Sequence, residues 1–377
     1  MRLSCVPGLV AVLLTATGAQ AADALDFSGR LAHIGHDNRF SESGYYVWCG
    51  SAICGEDGKY YLFYSRWQTG TNGRAAGDEV LFKDMKGWLK YSEIAAAVSD
   101  SPAGPFRPVS TVLRGTGDTN RWDCFNAHNP EIKVFGGKAY LYYIANRPVP
   151  NKDRWMQYAD GQRIGAAVAD SVADLVVGKF TRCAQPLISP DGTNTFCRTV
   201  NPSVTQGRDG RYLMMFKSRS APTGGRMTMW IASADKPDGP FRLTGPAITN
   251  PRWEAEDPFF WYDRERDRYY AIVKDYSRQQ RDLSPQFGAL ALLTSVQGVG
   301  DWQPASHSLV SLREFTDSEG HKHRLSNLER PQLLFDGQGK PICLYAAAGE
   351  EDPFAGNPSF NLQFAILPAR VPDKVDR

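Results

Sequence analysis

The chain has 377 residues, 43 of them basic and 41 acidic, and the basic residues do not form runs. A near-neutral chain without a basic patch lacks the electrostatic signature of a nucleic-acid-binding protein. Beyond the N-terminus, no stretch approaches the ~20 apolar residues that a membrane-spanning helix needs. We therefore expect neither nucleic acid nor a membrane as a partner.

The N-terminal residues have the features of a secretory signal. Arg2 supplies a positive start, residues 9–14 form a short apolar stretch, and residues 19–21 (Ala-Gln-Ala) have the small-x-small pattern of a cleavage site. We predict a signal peptide over residues 1–21 and export of the mature chain to a bacterial periplasm or beyond.

Five similar segments recur along the rest of the chain. Each has a short strand pattern, a tight turn and a second strand pattern rich in apolar or aromatic residues, which is typical of a β-hairpin. The two strand patterns are offset by 10 residues in four segments and by 11 in the other. The segments begin at Gly50-Ser51, Asn129-Pro130, Asn201-Pro202, Asp257-Pro258 and Arg330-Pro331.

Most of these hairpins are followed by a third strand pattern of small residues, as at 94–100 and 164–170. Units of three or four antiparallel strands, repeated five times, predict an all-β fold: a five-bladed β-propeller. The fixed offsets argue against the alternative, a large β-sandwich. We expect residues 22–377 to form one propeller domain. Its last blade, containing 362–367, would be closed by an N-terminal strand at 25–32, which removes an open edge.

The innermost strands of a propeller line its central channel, so the residues that begin them should surround one mouth of that channel. For Asn201 alone, an Asn-Pro that only caps a strand entry is an adequate explanation. Several carboxylates at one axis would repel each other unless they had a task. The residues in question are Gly50, Asn129, Asn201, Asp257 and Arg330, preceded by Cys49, His128, Val200, Glu256 and Glu329.

Asp257-Pro258 and Glu329-Arg330-Pro331, one repeat apart, resemble motifs of the five-bladed β-propeller glycoside hydrolases, which include families 43, 32, 117 and 130. The resemblance extends over essentially the whole mature chain at the level of architecture, and it assigns no single family. It implies that Glu329 is the general acid. It also implies that Asp257 contacts sugar hydroxyls and tunes that acid.

The third carboxylate of that superfamily, the base or nucleophile, is expected two blades before the Asp. Asn129 stands there and cannot act as a base, although Glu131 follows it. Asp37, in a polar loop before the first blade, and Glu131 are equal candidates for this role. Glu256 ranks third, because adjacent strand positions face opposite ways and Glu256 should point away from Asp257.

Further residues are candidates for substrate binding, each with an alternative. His128 would bind either substrate or a channel water or cation. Trp48 and Trp253 would form a sugar platform or belong to the core. Lys217 and Lys274 occupy the same place in two repeats; we interpret Lys217 as a solvated rim charge and retain Lys274 as a site residue. The complete set of predicted substrate-binding residues is His128, Asn129, Asn201, Glu256, Arg330, Trp48, Trp253 and Lys274.

These residues predict an exported glycosidase, exo-acting in a pocket, that works as a monomer on a poly- or oligosaccharide. Two alternatives stay open: a non-catalytic glycan-binding propeller and a glycoside phosphorylase. No cofactor is required, and a structural cation in the channel is compatible with the pattern. The chain has no Cys-x-x-Cys or His-x-x-x-His, so no zinc site is predicted. Sugar, linkage and stereochemical outcome stay open.

Overall fold

The computed structural model of the protein describes residues 25–70, 81–220, 224–278 and 282–368. The predicted signal peptide at 1–21 lies outside these ranges. Five antiparallel four-stranded sheets make up the fold, each with its strands in sequential order apart from the sheet that joins the two ends of the chain. The predicted five-bladed β-propeller is therefore confirmed.

The chain begins with the short strand β1 (Arg39–Phe40) and then builds the blades one after another, from the innermost strand outwards. Blade 1 consists of β2 (Tyr45–Cys54), β3 (Tyr60–Gln68), β4 (Glu93–Ser99) and β5 (Arg107–Leu113). Blade 2 consists of β6 (His128–Phe135), β7 (Lys138–Asn146), β8 (Gln162–Ala169) and β9 (Thr181–Arg182). Blade 3 consists of β10 (Thr195–Gln206), β11 (Tyr212–Ser220), β12 (Met227–Ala234) and β13 (Arg242–Pro246).

Blade 4 consists of β14 (Ala255–Asp263), β15 (Arg268–Asp275), β16 (Leu290–Ser295) and β17 (Gln303–Ser311). A small hairpin of β18 (Glu314–Thr316) and β19 (Lys322–Arg324) leads to blade 5, with β20 (Asn327–Phe335), β21 (Pro341–Gly349) and β22 (Phe360–Ala365). The helices are short and lie in connections: α1 (Trp88–Tyr91), α2 (Arg154–Asp160), α3 (Val172–Val176), and 3-10 turns at His36–Asn38, Asp84–Gly87 and Pro353–Ala355. No helix in the described ranges is long and apolar enough to cross a membrane.

The two ends of the chain close the propeller in blade 5. β1 pairs with β22, Arg39 opposite Leu362, and Leu31 forms an isolated bridge with Ile366. The predicted closure by an N-terminal strand is confirmed, although the predicted strand at 25–32 is not continuous. A turn, closed by the Arg30 N–H donating to the Phe27 carbonyl at 3.0 Å, interrupts it.

The core lies between neighbouring blades, and each of the five blade interfaces has its own cluster of buried apolar side chains. The third strands carry the small residues that the sequence pattern indicated, and Ala95, Ala96 and Ala97 are all fully buried. Small side chains on both faces of a strand let two flanking sheets approach closely, so enlarging them would overpack the interface. All six cysteines of the described ranges are free thiols.

Every innermost strand has an irregularity at the same place. The ladder to the second strand skips two residues there, and the first skipped residue has a positive φ of 52–57°. Asn and Asp adopt this left-handed conformation more readily than other non-glycine residues. The five residues concerned are Cys49, Asn129, Asn201, Asp257 and Arg330.

This bulge corrects two predictions. In blade 1 the residue equivalent to Asn129 is Cys49 rather than Gly50, because the ladder is interrupted between Trp48 and Ser51. A bulge also breaks the alternation of strand side chains. Two consecutive residues of each innermost strand can therefore face the same end of the channel.

Candidate active site

A cavity of about 650 Å³ lies at the end of the channel where the innermost strands begin, within the range of roughly 300–1,000 Å³ typical of small-molecule sites. Both predicted rings line it in blades 2 to 5, whereas in blade 1 neither Cys49 nor Gly50 does and Trp48 lines it instead. The strand irregularity is what brings two residues per blade to this surface. The ring residues that line the cavity are Trp48, His128, Asn129, Val200, Asn201, Glu256, Asp257, Glu329 and Arg330.

The left-handed residues form a chain of hydrogen bonds across all five blades. Cys49 Sγ donates to Asn129 Oδ1, Asn129 Nδ2 to Asn201 Oδ1, and Asn201 Nδ2 to Asp257 Oδ1, each at 2.5 Å. The backbone N–H of Arg330 completes it, donating to Asp257 Oδ2 at 3.3 Å. The two asparagine amides are thus occupied in holding the floor of the cavity together.

Asp257 is the charged acceptor at the end of this chain. Burial alone would raise the pKa of its carboxyl, but the positive charges of Lys217, Arg330 and Lys274 outweigh burial and lower it. At the other end, burial raises the pKa of the Cys49 thiol well above its usual value. Cys49 is therefore a hydrogen-bond donor, and Asp257 is an ionised acceptor.

Arg330 borders the cavity but is almost completely enclosed. Only 1% of the residue is exposed, and Nε, Nη1 and Nη2 are buried with no hydrogen-bond partner among the described residues. Its charge nevertheless acts on its neighbours and contributes to lowering the pKa of Asp257. The position of Arg330 thus favours a role in the charge balance of the floor over direct contact with substrate.

Four charged side chains alternate in sign across blades 3 to 5. Lys217 Nζ lies 3.2 Å from Glu256 Oε1, while Lys274 Nζ lies 3.8 Å from Glu256 Oε2 and 2.5 Å from Glu329 Oε1. Burial by itself lowers the pKa of Lys274, but Glu329, Glu256 and Asp257 more than compensate and raise it. We call Lys217, Glu256, Lys274 and Glu329 the charged chain.

The shared ammonium limits how far apart the two glutamates of the charged chain are. With Lys274 Nζ at 3.8 Å from one carboxylate oxygen and 2.5 Å from the other, these two oxygens can be no more than roughly 6 Å apart. Asn327 Nδ2 also donates to Glu329 Oε1, at 3.0 Å. Two carboxyl groups from neighbouring blades thus lie close together at one cavity.

His128 lies in an aromatic niche at the edge of the floor. Its Nδ1 is 2.8 Å from Ser92 Oγ, its ring stacks on Trp88 with centroids 4.8 Å apart, and Trp67 meets it edge-on at 5.5 Å. Burial, and secondarily the charge of Arg330, holds the pKa of His128 well below 6.5. His128 is therefore a neutral imidazole at neutral pH.

This neutral histidine makes a measurable contribution to the pH dependence of stability. Unfolded His128 takes up a proton below pH ~6.5, whereas the folded protein does not, so the unfolded state binds more protons as the pH falls. We expect the free energy of unfolding to fall by up to about 1.4 kcal/mol per pH unit below 6.5 from this residue alone. Urea titrations of the wild type and His128→Gln at pH 7.5, 6.5 and 5.5 measure the difference, in which other groups such as Glu131 cancel. Parallel curves would contradict the assignment.

Four of the predicted site residues do not line the cavity. One of them, Lys274, contacts the lining residues Glu256 and Glu329. Asp37 is on a 3-10 turn with an exposed side chain paired to His36 at 3.5 Å. Glu131 faces the channel one layer below the floor, fully buried, and accepts from Ser203 Oγ at 2.7 Å. Trp253 packs against the core between blades 3 and 4.

These positions reverse the ranking of the base candidates. Asp37 and Glu131 are outside the residues that line the cavity, whereas Glu256 lines it. The expectation that Glu256 points away from Asp257 is wrong, since Lys217 Nζ approaches both, at 3.2 and 4.0 Å. The bulge at Asp257 is the physical reason, because it breaks the strand alternation on which that expectation rested.

Residues of the second strands contribute more to the site than the sequence pattern predicts. Lys217, predicted to be a solvated rim charge, lines the cavity, and only 13% of its side chain is exposed. Lys217 and Lys274 are the cross-strand partners of Val200 and Glu256. Their equal place in two repeats was the available signal. Other lining residues that the sequence analysis does not predict include Trp88, Gln162, Arg198, Arg219, Glu254 and Tyr276.

Comparisons with known proteins agree with this architecture. No family model and no curated protein matches the sequence. Among solved structures, Zg3597, a family 117 glycoside hydrolase of the marine bacterium Zobellia galactanivorans, is similar with a TM-score of 0.60 at 18% identity, covering 91% of this chain and 92% of that one.

Two further solved structures are similar over most of their length. A thermostable family-43 glycoside hydrolase has a TM-score of 0.54 at 13% identity, covering 88% of this chain and 96% of its own. An exo-1,5-α-L-arabinanase from a bovine ruminal metagenomic library has 0.54 at 14% identity, covering 87% and 93%. The protein thus has the five-bladed propeller fold of these glycoside hydrolases, as its sequence motifs indicated.

Proposed function

We propose that the protein is an exported glycoside hydrolase that cleaves a glycosidic bond of a poly- or oligosaccharide in the cavity at the propeller axis. The observation that carries this proposal is the pair Glu256 and Glu329, held by Lys274 Nζ at 3.8 and 2.5 Å. Hydrolysis of glycosides needs two such carboxyl groups flanking the bond. The similar solved structures named above are enzymes of this kind.

In the proposed mechanism Glu329 protonates the leaving oxygen, and Glu256 acts on the opposite side of the sugar. An oxygen separation of at most roughly 6 Å falls short of the range of inverting enzymes (about 6.5–9.5 Å) and includes that of retaining ones (about 5–5.5 Å). Glu256 would then be the nucleophile. Asp257 stays ionised in the floor, where it stabilises positive charge that develops on the sugar ring.

The shape of the site suggests attack at a chain end. The hydrogen-bonded chain from Cys49 to Arg330 joins all five innermost strands at the floor of the cavity. We expect this floor to prevent a glycan from passing through the channel. A pocket closed on one side favours exo-action. The N-terminal signal pattern supports export, and the mechanism requires no cofactor.

A second candidate function, glycoside phosphorolysis, is favoured by the positive side chains around the carboxylates. A phosphorylase uses phosphate as the nucleophile and needs basic side chains to hold it. Lys217 and Lys274 lie beside Glu256, and Arg198 also lines the cavity. A non-catalytic glycan-binding propeller is the third candidate, and it would bind sugar without turnover.

One experiment separates the three candidates. The mature protein is incubated with a panel of oligosaccharides, with and without 10 mM inorganic phosphate, and the products are resolved by chromatography. We expect free reducing sugars at a rate independent of phosphate. Sugar phosphates formed only with phosphate would identify a phosphorylase. Binding of a panel member without any cleavage would contradict both enzymatic readings.

A further inference from the structure

Blade 3 lines the cavity with three arginines, whereas the acidic lining residues come from other parts of the chain. Arg198 is on β10, Arg219 near the end of β11, and Arg226 just before β12, so all three belong to blade 3. The acidic lining residues come from blades 4 and 5 or the segment just before β14: Glu254, Glu256, Asp257 and Glu329. The wall of Arg198, Arg219 and Arg226 is called the arginine wall below.

The charge of the cavity is positive overall. Among the described residues that line it, six are cationic and four acidic, although the chain as a whole has 43 basic and 41 acidic residues. The acids of the floor already face Lys217 and Lys274 within the charged chain. The arginine wall is therefore not needed to neutralise them.

The contacts of Arg198 and Arg219 with neighbouring residues leave part of their hydrogen-bonding capacity available for a ligand. Arg219 is exposed and makes no ion pair within the described residues; its Nη1 donates to the Gly225 carbonyl at 2.9 Å. Arg198 Nη2 bonds Asp160 Oδ1 at 3.0 Å, but Lys152 shares that carboxylate at 3.3 Å. Arg198 Nε is buried without a hydrogen-bond partner among the described residues.

We propose that the substrate is an anionic glycan, whose carboxylate or sulfate group is held by Arg198 and Arg219 while its glycosidic bond lies over Glu256 and Glu329. The position of the glycosidic bond in this inference rests on the proposed function. The binding of the anionic group to the arginine wall does not. The planar guanidinium offers paired N–H groups that match the oxygens of a carboxylate or sulfate. On the floor the same anion would be repelled by the carboxylates, so it belongs on the wall.

A neutral glycan would bind this wall less tightly. Its hydroxyl oxygens can accept hydrogen bonds from Arg198 and Arg219, but without the strength of a charge-assisted bond, so removing water from the two guanidinium groups is only partly offset. An anionic group compensates that loss. Part of the attraction is screened by salt, because Arg219 is exposed.

Binding can be tested without turnover in Glu329→Gln, on an array of uronate-containing and sulfated oligosaccharides beside their carboxyl-reduced and desulfated counterparts. We expect the bound glycans to be anionic, with affinities at least about tenfold above those of their neutral counterparts. Arg219→Gln should lower the affinity about tenfold. Arg211→Gln, which removes the same charge from the Asp209 pair at the opposite end of blade 3, should leave it unchanged.

The binding array also identifies which anionic group is recognised, and several of its outcomes would overturn the inference. Uronates and sulfated glycans are separate arms of the array, so the bound set tells which group is recognised. Equal affinity for neutral counterparts, no bound anionic glycan, or no effect of Arg219→Gln would overturn the proposal. Binding of inorganic phosphate alone would also overturn it, in favour of phosphorolysis. Anionic binding without cleavage by the wild type would contradict the proposed function and leave this inference intact.

Discussion

Glu329→Gln is expected to lower turnover at least about 100-fold, which is the usual contribution of a positioned general acid. Glutamine keeps the size of the side chain and its acceptor oxygen for Lys274, but it has no acidic proton to donate to the leaving oxygen. The measurement is the rate of reducing-sugar release from an unactivated oligosaccharide. Because Lys274 also has Glu256 as a partner, we expect the melting temperature to stay close to that of the wild type.

Glu350→Gln is the matched control for this prediction. Glu350 makes an exposed ion pair with Arg39 at 2.7 Å, with 40% of each side chain exposed, and it does not line the cavity. Its variant should keep full turnover. Near wild-type turnover of Glu329→Gln would show that Glu329 is not the acid.

Lys274→Met is expected to cost about 3 kcal/mol of unfolding free energy and most of the activity. Lys274 is 7% exposed and is the ammonium that Glu256 and Glu329 share. Removing one partner of a buried ion pair leaves uncompensated charge, which typically costs about 3–5 kcal/mol. The two glutamates would then repel each other, so their placement for catalysis should be lost as well. Urea unfolding at pH 7.5 gives the stability.

Lys138→Met provides the comparison for Lys274. Lys138 pairs with Asp170 at 2.5 Å on the surface, where 53% and 73% of the two side chains are exposed. Exposed pairs of this kind contribute little to stability, because water and salt screen the two charges. If Lys274→Met unfolded no more easily than Lys138→Met, the charged chain would not be a stabilising feature of the site.

The fold could be predicted because each blade corresponds to a local repeat in the sequence. Each blade needs a hairpin with a tight turn and a third strand of small residues, and these signals lie within a few tens of residues of one another. The closure of blade 5 was also predictable, because a propeller with an incomplete last blade needs a strand from elsewhere. The exact place of that strand, at Arg39–Phe40, depended on a turn near Gly29 that the pattern did not indicate.

The ring of residues around the cavity could be predicted from the sequence, but the ion pairs within the site could not. The bulge at the left-handed residues turns Glu256 and Asp257 toward the same surface, and strand alternation could not anticipate this. Lys217 and Lys274 reach the ring because they stand opposite it on the second strands. Cross-strand partners follow only from the register, so the charged chain became visible only in three dimensions.

A crystal structure of Glu329→Gln with a bound oligosaccharide tests the central claim most directly. We predict that a glycosidic oxygen lies within about 2.6–3.2 Å of the side chain at position 329, with Glu256 on the opposite face of the sugar ring. A glycan bound in the cavity with every glycosidic bond beyond the reach of both side chains would contradict the account.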